Sequence, residues 1–342
     1  MQKNEKNFSF NLIEWQKKHG RHHLPWQVND PYKIWVSEIM LQQTQVESVK
    51  NYYLKFLNLF PNIQKLSQAN TDDVLAAWAG LGYYARAKNL KKTADIIVND
   101  LNNVFPNNQK ELQKLPGIGK STAAAIAVFG FNQKAAILDG NVKRILARYF
   151  YIEDYINKKE TENKMWHIAE NLLPQNEIKT YTQGLMDLGS LICTPKKPKC
   201  VECPFNKNCL AFQKKSVEEL PKKEKIKRKI LEIKWFFLFY ENEIYFEKKP
   251  LKGIWGGLFC PIEENEKIEN IKNIILKEYT LKNFTHHLTH RVLNIFPKII
   301  VLKNKPKNLN GEWIDLNNIL NKEIPAPLFK ILKNLNDFPR ST

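Results

Sequence analysis

Apolar positions recur at helical spacing through the first two-thirds of the chain and then change to the pattern of strands. Residues 8–20 carry one apolar stripe that stops at Gly20, which predicts a short amphipathic helix. Lys33 to Phe60 repeats the pattern with Ile34, Ile39, Met40, Val46 and Val49, broken by the polar side chains from Gln42 to Thr44. Residues 63–100 continue it: Thr71 opens one segment as a cap ahead of Asp72 and Asp73, and Gly80 and Gly82 end it, leaving Leu81 and Tyr83 on a loop. An alanine-rich run follows Ser121 and Thr122, a turn falls at Asp139-Gly140-Asn141, and residues 160–192 return to helix. From Leu231 onward, IKWFFLFY and EIYFEKK flank a turn at Glu241-Asn242, a hairpin signal, while 264–277 read as helix and 291–302 as strand. The pattern predicts a multidomain protein: a mainly α region over 1–212, a solvated basic linker over 213–230, and an α/β domain over 231–342.

Composition adds a direction. The 342 residues carry a formal charge of +18, which favours a polyanionic partner, although Lys, Asn and Ile are abundant along the whole chain and dilute that argument. The N-terminus lacks the apolar core of a signal peptide and no run of 18 apolar residues occurs, so a soluble, cytoplasmic protein with no membrane association is expected.

Three stretches carry candidate chemistry. In LPGIGKSTAAAIA, the Pro116-Gly117-Ile118-Gly119 turn precedes a helix; Gly117 and Gly119 permit φ > 0 and leave backbone N–H groups free to meet a phosphate, with Lys114 and Lys120 beside them. Asp139 then sets a carboxylate near that surface. Glu38 sits among Trp35, Val36, Ile39, Met40 and Leu41; taken by itself it reads as a solvated Glu on the exposed face of a helix, or as a carboxyl whose apolar neighbours hold its proton. Cys193, Cys200, Cys203 and Cys209 are spaced C-x6-C-x2-C-x5-C, a set of four thiolates that suits zinc or an iron–sulfur cluster, whereas Cys260 stands apart as a buried apolar residue. Arg21, His22 and His23 are adjacent, so they cannot all face one ion and read as a basic contact. The three His of Phe284 to His290 read as an alternating surface strand.

These stretches resemble a known family. The Leu115–Arg144 stretch is similar to the helix-hairpin-helix motif, Gly/Pro-rich loop and Asp of one DNA glycosylase superfamily. WVSEIMLQQTQV, the preceding LPW and PY (Leu24–Trp26, Pro31-Tyr32) and GLGYYARAKNL resemble adenine DNA glycosylases of the MutY type, as does the cysteine spacing. The C-terminal module resembles their Nudix-like domain and lacks the R-E-x-x-E-E metal box of active Nudix hydrolases, so no pyrophosphatase activity is expected. The resemblance implies a six-helix module over about 27–135, a cluster module from 1–26 and 136–212, and a 4Fe-4S loop at 193–209.

The resemblance also implies roles. Glu38 protonates the departing adenine and Asp139 stabilises the oxocarbenium sugar, with Asn141 orienting that carboxylate or the sugar. His22, Leu24, Trp26 and Gln183 line the adenine pocket; Gln43, Leu81 and Tyr83 enter or prop the opened duplex; Gly117 and Gly119 meet phosphate. Thr289 and His290 stand where the family motif F-x-H-x-F-S-H recognises 8-oxoguanine, Thr289 keeping a hydroxyl and Leu288 replacing the second Phe. The implied partner is double-stranded DNA with adenine opposite 8-oxoguanine or guanine, bound by a monomer associated with the nucleoid. To be protonated at neutral pH, Glu38 must rise by about three pH units, about 4 kcal/mol, while an ionised Asp139 about 4 Å from the cation contributes about 4 kcal/mol.

Ser121 separates this reading from a rival. Endonuclease III-like glycosylase/lyases carry a lysine there that attacks the sugar, whereas here Lys120 is one position away, about 100° around the helix. A monofunctional glycosylase with at most weak lyase activity is expected. Two further rivals are a non-catalytic DNA-binding iron–sulfur protein, against which both carboxylates argue, and a Nudix hydrolase, against which the missing metal box argues.

Overall fold

Helices start where a short polar side chain can satisfy their first N–H groups. The computed structural model describes residues 2–224, 228–250, 252–288 and 290–334, so Thr289 and part of the expected linker lie outside the described residues. The chain divides into two units, Met1–Ala69 with Ala85–Lys225, and Asn70–Tyr84 with Ile226–Thr342. The elements are α1 (Gln2–His19), α2 (Pro31–Leu41), α3 (Val46–Leu59), α4 (Ile63–Gln68), α5 (Thr71–Ala77), α6 (Ala85–Asn99), α7 (Gln109–Leu112), α8 (Lys120–Phe131), α9 (Gly140–Tyr149), α10 (Lys159–Asn171), α11 (Ile178–Leu191) and α12 (Leu210–Gln213).

In the first unit α8 is the central element. Ala123 to Val128 are all buried, because a helix apolar all round must be enclosed by its neighbours, here α2, α7 and α11. Its N-cap is Gly119, which offers no side chain, so the amides of its first turn face outward. The helix α7, the Pro116–Gly119 turn and α8 make the hairpin, with Leu115 and Ile118 buried as its plug. Asp30 caps α2 by accepting from the amides of Tyr32 and Lys33, and Pro31 occupies its first position. Asp139 caps α9 in the same manner.

The second unit contains α5 and a mixed sheet: β1 (Lys229–Tyr240), β2 (Glu243–Lys248), β3 (Phe259–Cys260), β4 (Ile275–Thr280), β5 (Phe284–His287), β6 (Arg291–Leu302) and β7 (Glu312–Asp315), with α13 (Asn265–Glu269) and α14 (Ala326–Asn334). The order is β3-β2-β1-β6-β4, with β5 also on β6 and β7 on β2. β1 and β2 form the expected hairpin, and β1 lies parallel to β6 from Lys229↔Arg291 to Phe239↔Val301. Alternate residues of β1 feed opposite faces: Trp235 and Phe237 join one core, Phe236 and Leu238 the other. Among the described residues, no helix is long and apolar enough to cross a membrane.

Several expectations need correction. Residues 160–192 are two helices, since the Leu172–Glu177 stretch containing Pro174 breaks them. Residues 264–277 hold only the short α13, a 3-10 turn and the start of β4, because pairing with β6 outweighs the helical spacing of Ile268, Ile271 and Ile275. The N-cap of α5 is Asn70, not Thr71, and its side chain makes no capping bond. The segment after residue 213 is no solvated linker up to residue 224: Leu220 is buried, its carbonyl accepts from Arg148 Nε at 2.9 Å, and Lys222 O accepts from Ile156 N at 3.0 Å. Residues 70–84, expected in the α region, group with the sheet; Tyr84 Oη donates to Ile324 O at 2.9 Å and Lys248 pairs with Asp72 at 2.8 Å.

Candidate active site

One cleft of about 840 Å³ gathers most of the candidate residues within the first unit. The loop before α2 supplies His22, Leu24 and Trp26, α2 supplies Glu38, and the turn after α2 supplies Gln43. Ser121 comes from the start of α8, Asp139 and Asn141 from the start of α9, and Gln183 from α11. Positions spread from His22 to Gln183 thus face one space. They converge because α2, the start of α8 and the start of α9 all line this cleft.

The two carboxyl groups differ in setting. Burial raises the Glu38 carboxyl to about 8, with the negative charge of Asp139 adding to the effect, so Glu38 keeps its proton at neutral pH. Burial also raises Asp139, but the amides of Val142 and Asn141 and the charges of Arg144 and Lys143 pull the other way. Its Oδ1 accepts from Val142 N at 2.8 Å, a bond that favours the ionised form. Of the two carboxyls only Asp139 has amides and cations beside it that favour the anion, so the pair can divide acid and anion roles.

Buried charges that the sequence did not single out hold this arrangement. Arg144 Nη2 donates to Asn141 Oδ1 at 2.8 Å and to Gly189 O at 2.6 Å, and its Nε donates to Cys193 O at 2.6 Å. Gly189 leaves the room that Asn141 fills, since a Cβ there would stand 2.5 Å from Asn141 Cβ. Asp187, fully buried, accepts from Gln183 Nε2 at 2.9 Å and from Arg21 N and Nε at 2.8 and 2.7 Å. It ties the pocket-lining amide to the loop that carries His22. A lone charged residue on an amphipathic helix reads as surface, so only tertiary contacts reveal these residues.

Each remaining candidate, and Ser121 within the cleft, has its own surroundings. Gly117 adopts φ +78° whereas Gly119 is extended at φ −81°, so only the first needs glycine for its conformation; a Cβ on Gly119 would meet open space. Leu81 is buried and Tyr83 is 49% exposed at φ +51°, so Tyr83 is the member of that pair on the surface. His290 is exposed beyond β5, after Leu288, whose N–H donates to Arg291 O at 2.9 Å to close the turn. Ser121 Oγ accepts from Leu138 N at 3.0 Å, tying α8 to the extended approach to Asp139. Lys120 turns away to α10, 3.2 Å from Glu170 and 3.9 Å from the centre of the Trp166 ring.

Cys193, Cys200, Cys203 and Cys209 line one small cavity of about 30 Å³ beside Arg148, Tyr149 and Phe205. Arg148 Nη1 lies 3.4 Å from Cys193 Sγ. Burial raises the thiols of Cys200, Cys203 and Cys209, the second to about 12, and their neighbouring sulfurs add to it. Among the described residues no set of three or more His, Cys, Asp or Glu is arranged to hold a single metal ion.

A helical hairpin beside a cleft holding a protonated Glu and a helix-capping Asp defines a base-excision glycosylase scaffold. Residues 36–171 match the HhH-GPD superfamily of base excision DNA repair proteins, and residues 234–334 match the NUDIX domain. An adenine DNA glycosylase of Buchnera aphidicola subsp. Schizaphis graminum is 42% identical over 340 residues, 95% of this chain and 98% of that protein. The adenine DNA glycosylase of Homo sapiens is 37% identical over 223 residues, 62% of this chain and 41% of that protein. A thermostable thymine-DNA glycosylase structure superimposes with TM-score 0.58 at 32% identity, covering 62% of this chain and 98% of that one. The chain belongs to the adenine DNA glycosylase family and is an enzyme of base excision repair that hydrolyses N-glycosyl bonds.

Proposed function

We propose that this adenine glycosylase removes adenine mispaired with 8-oxoguanine or guanine in double-stranded DNA, and does so without cutting the strand. The observation that carries this is the pairing of Glu38, protonated to about pH 8, with Asp139 in one cleft. The duplex opens and the adenine leaves the stack, while Gln43, Leu81 and Tyr83 enter or prop the space it vacates. His22, Leu24, Trp26 and Gln183 receive the base. Glu38 gives its proton to the purine as the N-glycosidic bond breaks, which turns a poor leaving group into a neutral one. Asp139 faces the growing positive charge on the sugar, with Asn141 orienting the pair, and water completes the hydrolysis.

Ser121 is hydrogen-bonded to Leu138 and has no amine, and Lys120 is occupied at Glu170 and Trp166, which supports monofunctional chemistry. The Pro116–Gly119 turn offers its amides to phosphate through Gly117 and Gly119, and Thr289 with His290 contacts the 8-oxoguanine. Four thiols around one cavity, backed by the cationic Arg148, fit a 4Fe-4S cluster held by Cys193, Cys200, Cys203 and Cys209. When bound, that group supplies a covalent staple and holds the basic loop of Lys196, Lys197, Lys199 and Lys207 in place. The protein acts as a monomer on the nucleoid in the cytoplasm.

The test is a duplex with one adenine opposite 8-oxoguanine, incubated with excess protein and split between alkali and no alkali. Scission only after alkali is expected. Scission without alkali would establish a lyase, and no scission in either arm despite tight binding would establish a non-catalytic binder.

A further inference from the structure

The turn that carries Gln43 is held from behind by a buried cation. Arg86, in the first turn of α6 and 9% exposed, donates from Nη1 to the carbonyl oxygens of Ile39, Met40 and Gln42 at 2.8, 2.9 and 2.6 Å. Its Nη2 lies 3.3 Å from Thr44 Oγ1. The carbonyls of Ile39 and Met40 belong to the last turn of α2, where helical partners run out, and they follow Glu38 by one and two residues. A guanidinium is the suitable group there: it never loses its charge, it complements the negative end of the helix, and its fork reaches several oxygens at once.

The turn it grips is in an unusual conformation. Gln43 sits at φ +58°, a left-handed state that costs a non-glycine residue free energy and persists only where surrounding bonds enforce it. Gln42 Nε2 pins the same turn to Thr122 Oγ1 at 3.2 Å, on the helix that opens the cleft. Further along α6, Thr93 Oγ1 donates to Pro116 O at 3.0 Å, and Asn89 packs so closely on Gly117 that a Cβ there would stand 2.8 Å from its own Cβ. Thus α6 spans the end of the Glu38 helix and the phosphate-facing hairpin turn. In sequence it follows directly from Tyr83 and Tyr84.

We propose that Arg86 is a positioning residue for excision: it fixes the Gln42–Thr44 turn against the last turn of α2, so that Gln43, on entering the duplex, delivers the extruded adenine in register with Glu38. The inference rests on reading Glu38 as the acid. An ordinary helix cap would hold the fold together without setting the rate of the folded enzyme, and this difference is measurable.

The experiment uses the full chain with Arg86→Lys and Arg86→Gln, on a duplex with adenine opposite 8-oxoguanine. Burst amplitude gives the active fraction, and single-turnover kinetics gives the rate constant of that fraction. A 2-aminopurine beside the target adenine reports extrusion. The expected result is a rate constant lowered about 10- to 100-fold in Arg86→Gln, the size of effect that small misplacements produce, with part recovered in Arg86→Lys. The fluorescence rise should slow with it, and affinity for undamaged duplex should stay within about twofold, since the phosphate contacts lie elsewhere. A lowered amplitude with an unchanged rate constant would overturn the proposal. If both Arg86 variants fail to fold, Thr44→Val, which removes the outermost contact and leaves α2 capped, is expected to slow the step; an unchanged rate constant there overturns it equally. Glu38→Gln run in parallel separates the two readings: excision by that variant sinks the acid assignment, whereas its inactivity beside wild-type rates in the Arg86 variants sinks the positioning role alone.

Discussion

Replacing Glu38 by Gln should abolish excision and yet make the protein harder to unfold, increasingly so as pH rises. The carboxyl ordinarily titrates at 4.5 and in the folded chain at about 8, because burial, and secondarily the charge of Asp139, disfavours the anion. Between those values the folded chain holds a proton that the unfolded chain releases, so stability is fully present below the lower value and is lost as pH climbs toward the upper one. At about 1.4 kcal/mol per pH unit, the group withholds about 3 kcal/mol at pH 7 and about 5 kcal/mol at pH 9. A neutral Gln of the same shape carries no such term. The stability difference between variant and wild type should therefore widen by about 3 kcal/mol from pH 6 to pH 9. Urea unfolding of both proteins followed by tryptophan fluorescence at each pH measures it, and titrating groups not coupled to Glu38 cancel in the difference. Over the same range the wild-type single-turnover rate should fall about tenfold per pH unit once past about 8. A stability difference that stays constant with pH would refute the argument, because it would mean that Glu38 titrates alike in both states.

Three other substitutions test the surrounding geometry. Asp139→Asn keeps an oxygen to cap α9 on Val142 and removes a charge that burial disfavours, so urea unfolding should show no loss of stability at neutral pH while the single-turnover rate falls near a thousandfold. Gly189→Ala would ordinarily favour its helix by about 1 kcal/mol, yet the new Cβ would press on Asn141, so excision should slow at least about tenfold, as rapid-quench kinetics would show. Gly117→Ala forces a side chain into φ +78° and against Asn89; a loss of about 1–3 kcal/mol in unfolding and weaker binding of undamaged duplex are expected.

The residues of the cleft were legible through resemblance to family motifs such as LPW and WVSEIMLQQTQV, not through periodicity or spacing alone. Helical periodicity located α2, α3 and α8, and alternation located the β1–β2 hairpin. What escaped was whatever depends on distant partners. Ile268 to Ile275 has helical spacing, but β6 offers Ile275 onward a row of backbone bonds, and the strand wins. Arg86, Arg144 and Asp187 look like solvent-facing charges in sequence, and their burial appears only once carbonyls and amides from other segments close around them. The parallel pairing of β1 with β6 could not be read at all, since a parallel partner leaves no turn signal between the strands.

Residues 70–84 emerge from the ribosome long before the sheet they belong to. Tyr84 hydrogen-bonds Ile324, 240 residues later, so at the ordinary pace of synthesis the segment waits roughly 10–50 s for that partner. During that interval Tyr84 and Asp72 wait for Ile324 and Lys248, the partners that tie the segment to the later chain. A protein truncated before the sheet would never gain those two links, so residues 70–84 should be held less firmly in it than in the full chain.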